Sequence, residues 1–458
     1  MPLPTQSVMP AATYSDPWAG LKIASTRGMV PQTSATLTSI SAAATEISFG
    51  VDVYVNQTVD NPRILVPSWY IPSSGTYDET TMGNNLNYRF ALEDKATGKV
   101  WGFTFGGQET VYVNGLANIL SDANQIRLAS GSYRIRPWVQ GDVTGDSIPV
   151  SQIRYSRTTT GQFAVETVDG ILAGSDGRYS AIGSFTTGLN GTLTYPGGFG
   201  LVGHIVDQTE PTLVVIGDSI SVAGGTGGAV AINSGAWTMF QESWINIGLR
   251  RTGFYGLKNT KYNVLWCSRG GVWAKDVASN QGAAYRRQLF GLADIAVIAL
   301  GINDANNSRT SAQIIADLTT IIQHCASMGV AIIGCTLTPL TTSSDSYVTA
   351  SNQAATAASP VIQAVNLWWR DGTAAAVTRA AGGTFLGIWD GASKVTVNSS
   401  NVLDPTADRW YAPSGNAIVE VSTGVHPMGG SDATSYVSSG HTYMSAGVDT
   451  SMLTYIRK

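Results

Sequence analysis

The chain has 458 residues, of which 13% are charged, and 27 basic against 31 acidic residues give a formal net charge of -4. This length exceeds what one hydrophobic core usually serves, so we expect two domains. The charges form no long runs of either sign, which argues against a nucleic-acid partner.

Residues 1–40 are rich in Pro, Ser, Thr and Ala. We interpret them as an extended N-terminal segment or linker rather than as a core element. The first 20 residues lack the basic and apolar regions of a secretory signal, and no stretch approaches 18 consecutive apolar residues. We therefore expect a soluble protein without a membrane span, located in the cytoplasm, in a phage particle, or outside the cell after export by another route.

Residues 41–205 alternate apolar and polar side chains with a period of two, as in TEISFGVDVYV at residues 45–55. Gly, Asn and Asp separate these runs, which predicts a β-rich, sandwich-like accessory domain. Trp69, Trp101 and Trp138 lie in this region. Such residues usually belong to the core, whereas an exposed row of them would indicate carbohydrate contact.

Residues 206–458 follow a different pattern, in which strand-like apolar runs alternate with helical ones. The helical face between the last two runs ends near Gly329. Continuous apolar runs joined by helices predict a parallel sheet covered on both faces, hence an α/β domain. The apolar runs are residues 212–217, 262–267, 294–301 and 329–339, and the helical face holds Ile314, Leu318, Ile321, Ile322 and Cys325.

Three of these runs end in residues suited to acyl transfer. Ser219 follows the first, Gly271 the second and Asn303 the third. Ligands of parallel sheets bind at the carboxyl ends of the strands. The backbone N–H groups of Ser219 and Gly271, with the Asn303 amide, could converge on the oxygen that becomes negative during attack on an ester.

A serine nucleophile requires a neighbouring base, normally a histidine. The chain has four histidines. His426 lies on a Gly- and Pro-bounded loop that can reach the strand ends. We interpret His204 and His324 as structural or solvated, and His441 as a capping or packing residue at the start of the last helix.

Other kinds of site have weaker support in the sequence. Cys267, Cys325 and Cys335 match no metal-ligand or redox spacing, so we interpret them as core residues. The glycine-rich residues 224–229 lack the Lys-Ser/Thr of a phosphate-binding loop. No metal and no organic cofactor is therefore expected.

The ordered blocks GDSIS with Ser219, the glycine after the second run, GIND with Asn303, and the late GVHP and GHTYM resemble the SGNH subgroup of GDSL hydrolases. The resemblance covers residues 212–455. It implies a three-layer α/β/α, flavodoxin-like domain and an esterase. It also implies that Ser219 attacks the ester, that His426 is the base, and that Ser219, Gly271 and Asn303 form the oxyanion hole.

One departure from the family concerns the acid that orients the histidine. The family places an aspartate three residues before it, where this chain has Thr423. The orienting group is expected to be a carbonyl or hydroxyl at Thr423 or Ser422, or a nearby acid. The candidate acids are Glu420, Asp404 and Asp408.

The sequence thus predicts a serine esterase, with an acetylated carbohydrate as the favoured substrate. Trp273, Trp410 and Tyr411 are candidates for the walls of the substrate pocket. Two alternatives remain open, a lipase-like or aryl esterase and a structural glycan-binding protein of a phage or cell surface with a degraded hydrolase domain. The oligomeric state is not predicted.

Overall fold

The computed structural model describes most of the chain, with all helices of the described part lying after residue 243. The described residues are 18–25, 28–29, 33–36, 45–72, 76–143, 146–151, 168–173, 195–196, 198–221, 243–249, 262–279, 281–413, 417–419, 424–427 and 440–454.

The described residues before 206 form short and long strands. In chain order these are β1 (Lys22–Ile23), β2 (Gly28–Met29), β3 (Thr33–Thr36), β4 (Glu46–Val55), β5 (Val59–Pro67), β6 (Leu86–Asp94), β7 (Val100–Gly102), β8 (Val111–Val113), β9 (Asn118–Leu120), β10 (Arg127–Leu128), β11 (Gly131–Gly141), β12 (Ser147–Ser151), β13 (Val168–Ala173), β14 (Tyr195–Pro196) and β15 (Gly200–Ile205).

Most of these strands belong to two antiparallel sheets that share an apolar core. One sheet has the order β1-β15-β5-β10 with β9 also on β5, and the other has the order β13-β4-β11-β6-β7 with β8 also on β6. A third, smaller sheet has the order β14-β12-β3. In β4, Val53 and Val55 are buried and Tyr54 between them is half-buried, as the period of two predicts.

The tryptophans of this part do not form an exposed row. Trp69 is fully buried and donates from Nε1 to Asn118 Oδ1 at 2.9 Å. Trp138 is also buried and donates to Glu46 Oε2 at 2.7 Å. Two of the three residues are therefore core side chains whose indole N–H groups have protein partners, so a carbohydrate-contacting row of three is ruled out.

The second half contains a parallel sheet at the predicted apolar runs. The sheet has the order β17-β16-β18-β19-β22, and β2 extends it beside β17. The first four of these strands match the four predicted runs, whereas β22 was not predicted. The strands after residue 206 are β16 (Leu213–Gly217), β17 (Val264–Trp266), β18 (Ile295–Ala299), β19 (Ala331–Cys335), β20 (Thr341–Ser343), β21 (Gln353–Ala355), β22 (Phe385–Trp389), β23 (Thr396–Val397) and β24 (Arg409–Trp410).

Helices connect the parallel strands. The predicted helical face is confirmed in the longest of them, since all five of its apolar residues are fully buried. Thr310 and Gln313 cap its start reciprocally, and Gly329, with φ of 71°, follows its end. The helices are α1 (Trp244–Leu249), α2 (Ala274–Ala278), α3 (Ala284–Gln288), α4 (Ile302–Asn306), α5 (Ser311–Ser327), α6 (Ser359–Arg370), α7 (Thr373–Ala380) and α8 (Gly440–Ser445).

The described part of the N-terminal segment does not lie outside the cores as a linker would. Ile23 and Ala24 are fully buried. Strand β1 pairs with β15, one of the antiparallel strands before residue 206, which we call the antiparallel part. Strand β2 pairs in parallel with β17, and β3 pairs with β12. The Lys22 ammonium also lies 2.9 Å from an Asp294 carboxylate oxygen beside the parallel sheet. The described part of the segment therefore belongs to both halves of the molecule.

A buried carboxylate joins the antiparallel part to helix α3. Glu79 accepts hydrogen bonds from the backbone N–H of Tyr285, at 2.9 Å, and of Arg286. Burial raises the pKa of Glu79, and the Arg286 charge opposes this effect. The Arg286 side chain is itself fully buried, and within the described chain its guanidinium nitrogens have no hydrogen-bond partner. Glu79 is its strongest electrostatic partner.

Replacing Glu79 by glutamine is expected to destabilise the protein by about 3 kcal/mol, because a buried cation then loses its compensating charge. Urea unfolding at pH 8 measures the effect. Asp78→Asn is the matched control, since Asp78 is half-buried and acts more weakly on Arg286. Equal stabilities of Glu79→Gln and wild type would show that Glu79 does not compensate this charge.

Candidate functional site

Ser219 lies on a tight turn at the carboxyl end of β16, a strand whose residues are all buried. The Asp218 carboxylate accepts the Ile220 backbone N–H at 2.9 Å, and the Ser221 hydroxyl donates to the Asp218 carbonyl at 2.7 Å. A side chain at Gly217 would collide with Ser221, which explains the glycine before the turn. These contacts hold Ser219, only 7% exposed, at the strand end.

The structure brings His426 to this turn. The Ser219 Oγ and His426 Nε2 atoms are 2.9 Å apart, although the two residues are 207 positions apart in sequence. This is the distance at which an imidazole takes a hydroxyl proton. Ser219 and His426 therefore have the geometry of a nucleophile and its base.

The described residues around His426 have contacts on several sides. Gly424 has φ of 64°, and a side chain there would collide with the Tyr347 hydroxyl. The Gly424 carbonyl accepts the indole N–H of Trp410 at 2.9 Å. Val419 and Pro427 form an isolated antiparallel bridge. The position of the imidazole therefore depends on contacts that surround its loop.

The three aromatic residues proposed for a pocket wall differ in their burial. Trp410 is fully buried, so its prediction as a pocket wall is wrong, because its ring fills the core and its N–H supports the His426 loop. Tyr411 is half-buried and packs edge-on against Tyr443, with ring centroids 5.5 Å apart. Trp273 is half-buried, and the Lys275 ammonium lies 3.9 Å from its ring centroid. Tyr411 and Trp273 remain candidates.

The second and third strand ends adjoin the Ser219 turn. The Arg269 N–H donates to the Gly217 carbonyl at 3.0 Å, and a Cβ at Gly270 would lie 3.7 Å from the Ser219 Cβ. Gly271 has φ of 85°, which favours glycine. The Asn303 amide donates to the Val272 carbonyl at 3.0 Å. The three predicted turns are thus neighbours.

The donors predicted for an oxyanion hole remain available. In the part of the chain that the structure describes, neither the Ser219 nor the Gly271 backbone N–H has a hydrogen-bond partner. Asn303 is half-buried and has a second amide hydrogen besides the one directed at Val272. Unpaired donors beside a nucleophile can stabilise a developing negative charge.

The two aspartates next to the key residues act as hydrogen-bond acceptors. Asp304 is fully buried and accepts the Ala274 backbone N–H at 2.7 Å and an Arg309 N–H at 2.6 Å. It therefore ties the Asn303 turn to the start of α2. Burial raises the pKa of Asp218 to about 7, its hydrogen bond from Ile220 opposes this shift, and the charge of Asp304 adds to it.

Two acids proposed to orient His426 have other partners. Asp404 accepts the Thr406 N–H and hydroxyl at 2.9 and 2.6 Å, and Asp408 lies 3.7 Å from the Arg409 guanidinium. Neither forms a hydrogen bond or ion pair with His426, so these two predictions are wrong: Asp404 hydrogen-bonds Thr406, and Asp408 lies nearest the Arg409 charge. The remaining candidates, Glu420, Ser422 and Thr423, lie outside the described residues.

His441 caps a helix, but not its own. Its Nδ1 accepts the backbone N–H of Trp244, the first residue of α1, at 3.2 Å. The ring is 1% exposed. Burial lowers the pKa of His441 to about 3, and the neighbouring His426 adds to this effect. His441 is therefore neutral at physiological pH and packs behind the site.

The cysteines and the other two histidines have the structural or solvated positions that the sequence predicts. Cys267, Cys325 and Cys335 are free and buried, which confirms their interpretation as core residues. His204 is exposed, and His324 approaches the Arg287 carbonyl at 3.3 Å. The glycine-rich residues 224–229 lie outside the described residues.

Among the described residues, no group of three His, Cys, Asp or Glu could hold a metal, and no helix is long and apolar enough to cross a membrane.

Sequence reasoning missed two residues at the second strand end. Arg269 is buried and donates from Nε to the Ile71 carbonyl at 3.1 Å and from Nη1 to the Gly270 carbonyl. Tyr77 of the antiparallel part packs on Gly271. An arginine directly before the glycine pair was the available signal for the first, whereas no local pattern marks Tyr77.

Because Ser219 and His426 have the geometry of a nucleophile and its base, an ester is a suitable probe of the site. Replacing Trp410 by phenylalanine is expected to lower kcat on such a probe by roughly 10- to 100-fold with little change in KM, because the lost hydrogen bond lets the His426 loop shift. Steady-state kinetics on p-nitrophenyl acetate measures this. Trp369→Phe is the control, since the Trp369 ring is equally buried but packs on Gly334. Equal losses of kcat in both variants would contradict a specific role of Trp410.

Comparison with known proteins finds similarity to solved structures. No protein-family model and no curated protein matches the chain. A GDSL-like lipase from Bacteroides thetaiotaomicron VPI-5482 is 13% identical with a TM-score of 0.30, over 53% of this chain and 87% of that one. A protein of the G-D-S-L family from Desulfitobacterium hafniense DCB-2 is 13% identical with a TM-score of 0.31, over 53% and 100%. A Bacillus subtilis protein is 11% identical with a TM-score of 0.32, over 86% and 78%. Scores this low transfer no function to this chain.

Proposed function

We propose that this protein is a serine esterase of the SGNH type that cleaves carboxylic esters through an acyl-enzyme. The observation that carries the proposal is the 2.9 Å contact between Ser219 Oγ and His426 Nε2. The N–H groups of Ser219 and Gly271, which have no partner among the described residues, support it together with the Asn303 amide beside this contact. Such an arrangement suits attack on an ester carbonyl.

In the proposed mechanism, His426 Nε2 accepts the Ser219 hydroxyl proton while Oγ bonds to the ester carbonyl carbon. The carbonyl oxygen becomes negative and is held by the Ser219 and Gly271 N–H groups and the Asn303 amide. The intermediate then collapses, and the alcohol leaves with the proton from His426. In the second half, His426 takes a proton from water, the hydroxide attacks the acyl carbon, and the acid is released as Ser219 regains its proton.

We propose further that residues 206–458 form the catalytic domain and residues 41–205 a β-rich accessory domain, with residues 1–40 as an N-terminal segment. The strand order β17-β16-β18-β19-β22 supports a flavodoxin-like, three-layer arrangement, because it places the second strand outside the first. Ser219 then lies at the point where the connections of the sheet reverse direction. Ligands of such sheets bind at this point.

The favoured substrate is an acetyl ester of a carbohydrate. The low exposure of Ser219 supports a small acyl group, since a nucleophile this enclosed leaves little space for a long chain. The carbohydrate alcohol is proposed by analogy with glycan-active enzymes that carry a β-rich accessory domain. The alternatives are a lipase-like or aryl esterase and a glycan-binding protein without activity, which the Thr423 position keeps open.

The test is a series of p-nitrophenyl esters from acetate to octanoate, together with an acetylated xylan. We expect turnover to fall as the acyl chain lengthens and acetate to be released from the xylan. Faster cleavage of octanoate than of acetate would favour the lipase-like alternative. Binding of the xylan without any turnover would favour the glycan-binding protein.

A further inference from the structure

One tyrosine of the antiparallel part, Tyr77, lies at the candidate site. Tyr77 lies in a segment that is fastened on both sides to the second half of the chain. Before it, the Ile71 carbonyl accepts a hydrogen bond from Arg269 at 3.1 Å, and after it the Glu79 N–H donates to the Gly282 carbonyl at 2.9 Å. Two anchors this close in sequence fix the position of the tyrosine between them.

The Tyr77 hydroxyl lies directly on the glycine of the proposed oxyanion hole. A side chain at Gly271 would collide with the Tyr77 hydroxyl and the neighbouring ring atoms. The Arg269 guanidinium, which also bonds the Gly270 carbonyl, is 5.7 Å from the Tyr77 ring centroid. The ring therefore contacts the same turn as Gly270, the residue before Gly271, where a Cβ would lie 3.7 Å from the Ser219 Cβ.

Two features of Tyr77 point to a binding role rather than to packing alone. Its φ of 53° is unusual for an aromatic residue, and backbone strain of this kind concentrates at functional sites. Its side chain is half-buried, and its hydroxyl has no hydrogen-bond partner within the described part of the chain. A half-buried phenol of this kind can donate and accept a hydrogen bond with a bound molecule.

We propose that Tyr77 is a specificity-determining residue, whose hydroxyl hydrogen-bonds a hydroxyl-rich alcohol such as the sugar of a substrate whose ester lies at Ser219. The proposal rests on the proposed esterase function. It gives the antiparallel part a direct place in substrate selection. One such hydrogen bond corresponds to about a tenfold difference in kcat/KM between alcohols that reach it and alcohols that do not.

The experiment compares wild type, Tyr77→Phe and Tyr77→Ala on p-nitrophenyl acetate and on a mono-O-acetylated methyl xyloside. Tyr77→Phe keeps the ring on Gly271 and removes only the hydroxyl. We expect it to lower kcat/KM about tenfold on the xyloside ester, mainly through KM, and to stay within twofold of wild type on the aryl ester. Tyr77→Ala is expected to lower both rates, because the turn loses its contact.

Tyr112→Phe is the matched control, since Tyr112 is 52% exposed on β8. We expect it to match the wild type on both esters. Equal rates of Tyr77→Phe and wild type on the xyloside ester, or equal losses on both esters, would overturn the proposal.

A binding measurement separates this proposal from the esterase function. Unacetylated methyl xyloside is titrated into each protein and followed by ligand-observed NMR. We expect the wild type to bind it and Tyr77→Phe to bind it about tenfold more weakly, whether or not either protein cleaves an ester. A wild type that cleaves neither ester contradicts the esterase function alone, whereas identical binding of the two proteins overturns the role of Tyr77.

Discussion

Replacing Ser219 by alanine is expected to reduce ester turnover by at least ~10⁴-fold, the scale on which serine hydrolases lose activity without their nucleophile. Among the described residues, the Ser219 hydroxyl bonds only His426, so its removal leaves no other hydrogen bond of the turn broken. The free energy of unfolding should therefore change by less than about 1 kcal/mol. Initial rates on p-nitrophenyl acetate and urea unfolding measure the two effects.

A covalent probe makes this prediction independent of the substrate. An alkyl phosphonate ester should attach one phosphonyl group to each wild-type chain, which mass spectrometry detects on the peptide that contains Ser219. It should attach none to Ser219→Ala. Ser327→Ala is the control, because Ser327 is an exposed serine at the end of α5. Adduct formation on Ser219→Ala, or retention of more than a few per cent of the wild-type rate, would exclude Ser219 as the nucleophile.

Acidification from pH 7 to pH 4 is expected to remove roughly 3 kcal/mol of stability through His441 alone. The unfolded chain protonates this histidine below about pH 6.5. The folded protein resists protonation until about pH 3, because burial lowers the pKa of the ring. Between these values the unfolded state binds more protons, so the folded state loses stability as the pH falls.

The measurement is the free energy of urea unfolding at pH 7, 6, 5 and 4 for wild type and His441→Gln. The glutamine side chain is polar, but it takes up no proton in this range. We expect the advantage of the wild type over the variant to shrink steadily with acidification. His204→Gln is the matched control, since His204 is exposed. Parallel profiles for wild type and His441→Gln would refute the assignment.

Local patterns in the sequence were enough to predict the strands that position the candidate site. Strands β16 to β19 are buried on both faces, and such strands appear in a sequence as continuous apolar runs. The residues directly after them could then be assigned to one edge of a sheet. The same reasoning missed β22, because four of its five residues are half-buried and Gly387 interrupts the run.

Contacts between distant segments explain what the sequence could not predict. Strand β2 has two residues and no periodicity of its own, and it is a strand only because β17 offers an open edge. Trp410 was assigned to a pocket because it precedes the histidine loop, yet its indole N–H is directed at Gly424. Tyr77 lies against Gly271 only because the antiparallel part packs on the second half of the chain. Tertiary contacts of this kind leave no local signal.

The pairing of β2 with β17 has a consequence for how the protein folds as it is synthesised. The parallel partner of residues 28–29, at residues 265–266, leaves the ribosome only after the long segment between them has been synthesised. Closing so long a loop makes folding slow. Until it closes, β17 presents an unpaired edge, a template on which another chain can pair and aggregate. This edge of β17 is therefore covered only once both partners have been synthesised.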